Sequence, residues 1–440
     1  MSRLARVLAF LAPLVLATCA FGQAKPQRTK LSQSDQWRVD AMLLNLRQAI
    51  EKHYYDPHYH GVDLNARYAK YKEELDSSPN VTSALRVLAA YVAGLHDSHT
   101  FFLPPPLTED FFYGLRMGII GDQCYVLGSR PDTDADGKVH AGDLIERLNG
   151  YTVSRKDYSD LSYYLYGLEP QGGLRLQLQA PDGTVRTEVV KTKFIPRPNV
   201  EVIWNGEWGV EEADQINRMS TQRWAEIGNV GIWNVPFFGD DMSQTTHAYS
   251  VVHDHAGLVI DLRDDPGGDV EMLQYMLGYF LKDKTTIGQR VGRGDHGPLE
   301  VKPHGDPYPG KLVVLINDGS ASAAEIFARV IQLHHLGVIV GDRSAGAVME
   351  AEHFDFTYGT NPVTPYGISV TAADLVMEDG QSLENRGVTP DVEAVPSAAD
   401  LAAGRDPVLA LAVKLAGGTL DPSAAGKLFP YRWPPFRLQH

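Results

Sequence analysis

The chain has 440 residues, 43% of them hydrophobic and 22% charged, with 40 Lys and Arg against 55 Asp and Glu. That apolar content closes a large core and leaves room for about two to four domains. The net charge of −15 repels polyanions, so neither nucleic acid nor an anionic lipid surface is an expected partner.

Residues 1–24 read as a secretion signal. Arg3 and Arg6 supply the positive start, 7–16 are almost all apolar, and Gly22-Gln23-Ala24 offers a small-x-small cleavage site. In a competing reading Leu16-Ala17-Thr18-Cys19 approximates a lipoprotein cleavage box, and Cys19 carries a lipid anchor. Removal of this segment would leave Cys124 as the one cysteine, which excludes an intrachain disulfide and a cysteine-based metal site. No later stretch approaches the ~20 apolar residues of a membrane span. The expected location is periplasmic or extracellular.

From 34 to 95 the pattern is helical, with Val39, Met42, Leu46 and Ile50 on one stripe and Val81, Leu85, Leu88, Val92 and Leu95 on another. A helical domain is expected over 31–103, ended by the run Leu103-Pro104-Pro105-Pro106-Leu107. Short alternating strands then predict a β-rich domain over 109–193. Within it, Ala141-Gly142-Asp143-Leu144-Ile145 followed by Asn149-Gly150 resembles the PDZ domains of bacterial proteases, which bind a peptide C-terminus by strand addition. That resemblance implies Gly114, Leu115, Met117 and Gly118 as a peptide-binding segment. A β-rich module without a ligand is the alternative.

After a connector at 194–212, strands near 230–235, 258–262, 312–316 and 338–340 alternate with helices. One helix carries Met272, Leu273, Met276, Leu277, Phe280 and Leu281. The alternation predicts a layered α/β core over 194–400 in a multidomain α/β protein, with a helical tail over 401–440 packed on that core.

Three segments could do chemistry. The buried strand 312–316 runs into Asn317-Asp318-Gly319-Ser320-Ala321-Ser322 and a helix whose apolar face is Phe327, Val330 and Ile331. A side chain at such a turn stands beside helix N-terminal amides, which suits a nucleophile that generates an oxyanion. The same residues make a Ser-x-x-Glu capping box, Ser322 with Glu325, whose bland role is to satisfy backbone donors. Asp261-Leu262-Arg263-Asp264-Asp265-Pro266-Gly267-Gly268 is a second strand end, where paired glycines let an amide approach a ligand or merely form a tight turn. His96 and His99 in Leu95-His96-Asp97-Ser98-His99 have a spacing that could grip a metal, but no third ligand lies nearby in sequence, so neither a metal nor another cofactor is expected.

In this order the segments resemble the tail-specific, or C-terminal-processing, serine protease family, over most of the chain after the signal. The resemblance implies a crotonase- and Clp-protease-like superhelical core, Ser322 as nucleophile, and an oxyanion hole from Ala323 with Gly267 or Gly268. The better-known branch takes its general base from a lysine in a Gly-Lys-Gly turn. Here Gly346-Ala347-Val348 has alanine in that place, which excludes a Ser-Lys dyad. The sequence instead resembles the tricorn-like branch, in which a Ser-His pair precedes the PDZ region. This implies His99 as acid-base, held by Ser98, which is held by a late glutamate: Glu384, with Glu350 and Glu378 as alternatives. The expected function is an exported endopeptidase acting on peptides or proteins. The alternative is a catalytically dead relative that binds peptides or hydrophobic ligands, as the family's retinoid-binding members do.

Overall fold

The computed structural model describes residues 30–107, 109–196, 221–239, 241–294, 296–359, 363–433 and 436. The signal at 1–24, Cys19 and most of the connector at 194–212 lie outside the described residues. No helix within them is long and apolar enough to cross a membrane.

Three helices open the described chain: Gln33–His53, Leu64–Asp76 and Val81–Val92. Each starts at a polar cap, Ser32, Asp63 and Asn80, whose side chain accepts a first-turn amide. Val39, Met42, Leu46 and Ile50 are all buried, as are Leu88, Val92 and Leu95. Val81 departs from its stripe because it is the first residue of its helix, where it stays exposed.

A 3-10 turn at Ala93–Leu95 ends at His96, which takes a left-handed backbone (φ 65°) and turns the chain out of the helix. The next strand, Phe101–Leu103, pairs antiparallel with the long strand Thr364–Met377, with Phe101 opposite Ser369. Thr364–Met377 also pairs with Met349–Tyr358 and Thr285–Gly292. This antiparallel sheet was not legible in the alternation of core strands and helices, and it carries the segment that precedes residue 101 onto the core.

The small sheet runs in the order Leu115–Ile120, Gln123–Ser129, Leu144–Leu148, Gly173–Gln179, Val185–Lys191. It shares a hydrophobic core with the opening helices, and Arg155 joins it to the loops of the core sheet. Arg155 donates to Asp318 Oδ1 at 2.7 Å, Asp342 Oδ2 at 2.6 Å and the Arg343 carbonyl at 2.9 Å. Both acceptor loops flank the candidate site.

The core sheet pairs Arg223–Ile227 antiparallel with Val230–Asn234, then runs parallel through Gly257–Asp261, Lys311–Ile316, Gly337–Gly341 and Val392–Glu393. Gly257–Asp261 is buried throughout, as expected of a strand covered on both faces. Alternate residues serve the two sides. Leu258, Ile260, Leu312, Val314 and Ile316 pack against helices Val270–Leu277 and Ala323–Leu333. Val259, Val313 and Leu315 pack against Val408, Leu409, Ala412 and Val413 of helix Pro407–Leu415. Arg263, paired with both Asp261 and Asp406 at 2.7 and 2.8 Å, pins the start of that last helix to the sheet. The fold is α/β, and its parallel strands all end toward the same edge, which carries the chemistry.

Candidate active site

Ser322 caps the helix Ala323–Leu333 with φ 51° and ψ −117°. A non-glycine residue held there stores on the order of 1–3 kcal/mol, a strain that persists only where its surroundings over-determine it. Here they do. The Ser322 N–H donates to the Ala347 carbonyl at 2.9 Å and to Glu325 Oε2 at 3.1 Å. Behind the turn, the helix buries Ile326, Phe327, Val330 and Ile331.

Glu325 does more than cap. Its fully buried carboxylate also accepts from Ser344 Oγ at 2.6 Å, the Gly346 N–H at 2.8 Å and the Ala347 N–H at 2.9 Å. Burial pushes its pKa up, while these bonds favour the charged form. Glu325 therefore holds the serine turn against the loop 344–347, the stretch that has no lysine. Nearby Ser320 is buried and committed, its hydroxyl donating to the Leu262 carbonyl at 2.7 Å.

The glycine pair lies against the same turn. A Cβ on Gly267 (φ 102°) would come within 2.6 Å of Ser322 Cβ, and one on Gly268 (φ 134°) within 2.3 Å of the Phe238 carbonyl, so only glycine fits either position. The Gly267 N–H donates to Asp265 Oδ1 at 2.8 Å. Its carbonyl accepts from the Phe238 N–H at 2.8 Å.

Residues 97–100 arrive from the other side. Asp97 Oδ1 accepts the amides of His99 and Thr100 at 3.1 and 2.7 Å and the Thr371 hydroxyl at 2.6 Å, while Oδ2 accepts the Tyr54 hydroxyl at 2.8 Å. With the loop thus fixed, Ser98 Oγ lies 2.7 Å from His99 Nδ1 and donates to Glu384 Oε2 at 2.8 Å. The Ser98 N–H donates to Glu384 Oε1 at 2.8 Å. Of the other late glutamates, Glu350 faces Arg290 at 3.6 Å and Glu378 faces His334 at 3.0 Å.

The Ser98 hydroxyl has one proton, and with Glu384 ionised it goes to that carboxylate. His99 Nδ1 must then be the donor to Ser98 Oγ, which leaves Nε2 with a bare lone pair. Burial lowers the His99 pKa, opposed by the charge of Asp97, so the ring is neutral near neutral pH. Burial raises Glu384 to about 7, against the hydrogen bonds from Ser98 and Val348.

The two halves meet at adjacent residues. Ala347 accepts from Ser322, and the Val348 N–H donates to Glu384 Oε2 at 2.9 Å. Among the described residues no hydrogen bond joins Ser322 Oγ to His99.

The segment at Gly114 to Gly118 is elsewhere, in the first strand of the small sheet. Leu115 and Met117 are buried, the Gly114 carbonyl accepts from the Arg130 N–H at 2.8 Å, and the Met117 carbonyl accepts from Tyr158 at 2.9 Å. Sequence reasoning passed over Asp97, Asp265 and Arg155. Asp97 lies inside the His-Asp-Ser-His run, where an Asx turn is the ordinary use of an aspartate, and Asp265 lies inside the Asp261–Gly268 strand end with no local sign of its role; Arg155 has no local signal.

A strained serine at a strand-to-helix turn, with a carboxylate, a hydroxyl and an imidazole in series beside it, is the equipment of a serine-type hydrolase. Residues 229–394 match peptidase family S41. The chain is 25% identical over 378 residues to a chloroplastic C-terminal processing peptidase of Tetradesmus obliquus, covering 81% of this chain and 77% of that one. It is 25% identical over 434 residues to tricorn protease homolog 1 of Streptomyces coelicolor, covering 90% of this chain and 37% of that one. Among solved structures, mature CPAF shares the fold, with a TM-score of 0.62 at 16% identity over 88% of this chain and 100% of that one. The match over residues 229–394 and the relatives named as proteases make this chain a serine-type peptidase similar to peptidase family S41.

Proposed function

We propose that the protein is an exported endopeptidase that cleaves peptide bonds through an acyl-enzyme on Ser322, with His99 as general base and then general acid. The observation that carries this reading is the shared Ser98 hydroxyl, between His99 Nδ1 at 2.7 Å and Glu384 Oε2 at 2.8 Å. It sets the one tautomer in which Nε2 can take a proton from Ser322 and return it to the leaving amine. His99 and Ser322 close their gap when substrate is engaged, since catalytic hydrogen bonds in unliganded enzymes are often long. Ala323 and Gly268 N–H receive the oxyanion, because the Gly267 amide is already taken by Asp265. The small sheet is read as a PDZ-like domain for peptide tails over 109–193, with Gly114 to Gly118 as its binding strand. Export rests on the sequence of residues 1–24.

A fluorophosphonate probe tests the reading. The adduct should map to Ser322 by mass spectrometry, vanish in Ser322→Ala and form far more slowly in His99→Ala. Equal labelling in His99→Ala would sink the histidine mechanism.

A further inference from the structure

Asp265 is fully buried, yet it belongs to no ion pair, and its Oδ2 has no hydrogen-bond partner among the described residues. Burial pushes its pKa well above the usual carboxylate range. A group so placed is tolerated only in its neutral form, and an unmatched buried oxygen is costly to keep. What the residue does with its remaining atoms is specific to the oxyanion side of the site. Its main-chain carbonyl accepts from the Ala321 N–H at 2.9 Å, one residue before Ser322, and its Oδ1 accepts from the Gly267 N–H at 2.8 Å.

Of two successive peptide planes, Asp265 orients the first and the Phe238 N–H the second. The Gly267 N–H is turned onto Asp265, out of reach of substrate. The Gly267 carbonyl is turned onto Phe238, and in a trans peptide the following N–H points the opposite way. The Gly268 amide thus faces away from Phe238, with Gly267 packed against Ser322 Cβ and the Ala323 nitrogen.

We propose that Asp265 is a positioning residue for the oxyanion donors, turning the Gly267 peptide away and presenting the Gly268 and Ala323 amides as the working pair. This rests on the reading of Ser322 as nucleophile. The test is peptide hydrolysis by the full chain carrying Asp265→Asn, Asp265→Ala or Ser322→Ala, with thermal unfolding followed in parallel. Asparagine keeps the acceptor for Gly267, so Asp265→Asn should retain kcat within about threefold. Asp265→Ala frees that peptide and should lower kcat on the order of 10²-fold, the usual effect of losing an oxyanion donor, with KM within about threefold.

Should Asp265→Ala not fold, Asp265→Ser, whose hydroxyl can make the same short turn, should give an intermediate kcat at unchanged KM. Wild-type kcat in Asp265→Ala or Asp265→Ser, or equal loss in Asp265→Asn and Asp265→Ala, overturns the role of Asp265. Hydrolysis that persists in Ser322→Ala overturns instead the nucleophile reading on which it rests.

Discussion

The two halves of the site are built in opposite ways. The Ser322 half is one strand, one turn and one helix in unbroken sequence, and its strain is held by Glu325, three residues further on. The His99 half is a short loop whose own turn is made by Asp97, which accepts the His99 and Thr100 amides. It is held by Glu384 across 286 positions, by Thr371 across 274, and by the pairing of Phe101–Leu103 with the strand Thr364–Met377. The first half is built on a local motif with Ala347 and Gly267 as its distant supports, whereas the second exists only when distant segments have already docked. Perturbations should therefore act differently on the two. On the proposed mechanism, damage to the serine turn removes the nucleophile, while damage to the histidine support detunes a base that is still present.

The largest effect is expected from Ser322→Ala, with a loss of kcat on the order of 10⁴-fold or more, and His99→Ala should come close to it because the pair acts as a unit. A mild loss in His99→Ala would break the comparison by showing that the loop supplies no base. Glu384→Gln should come next, with kcat lower on the order of 10²-fold, because an amide can donate to Ser98 and reverse the chain of hydrogen bonds that sets the imidazole tautomer.

The pH profile sharpens this. Glu384 is ionised above about 7, and below that its carboxyl proton can be donated to Ser98, which reverses the chain of hydrogen bonds. Wild-type kcat/KM should therefore rise with pH through about 7, a limb missing from Glu384→Gln. The His99 limb lies lower, since burial depresses that ring. A wild-type profile flat from pH 6 to pH 8 would remove Glu384 from the relay.

The smallest effect belongs to Thr371→Val. It deletes one of three hydrogen bonds to Asp97 Oδ1, worth about 1 kcal/mol, and should lower kcat a few-fold with Ser322 labelling intact. A loss as large as that of His99→Ala would mean that the loop collapses without this tie, and that the histidine half is weaker still than its contacts suggest.

Much of this molecule is legible in its residues. The core strands could be read from uninterrupted apolar runs, the first helix from a stripe at helical spacing, and the turn at 317–322 from a buried strand ending in small residues, with Ser322 itself singled out by the family resemblance. These are statements about neighbours in sequence, where geometry follows from periodicity and capping. The antiparallel sheet around Thr364–Met377, the Arg155 tie between the small sheet and the core, and the role of Asp265 had no such signature. Each depends on which oxygen or strand edge a residue meets after long loops have closed.

The amino-acid sequence by itself determined the α/β core, the Ser-x-x-Glu turn at a strand end and the absence of a lysine at Ala347. Tertiary structure alone decided which glutamate reaches Ser98, because Glu350, Glu378 and Glu384 are chemically alike and differ only in where the strands before them end. It also decided which glycine amide stays free, because a trans peptide can offer its N–H to only one side. Local periodicity constrains elements, but the partners of a polar atom are chosen by the packing of the whole chain.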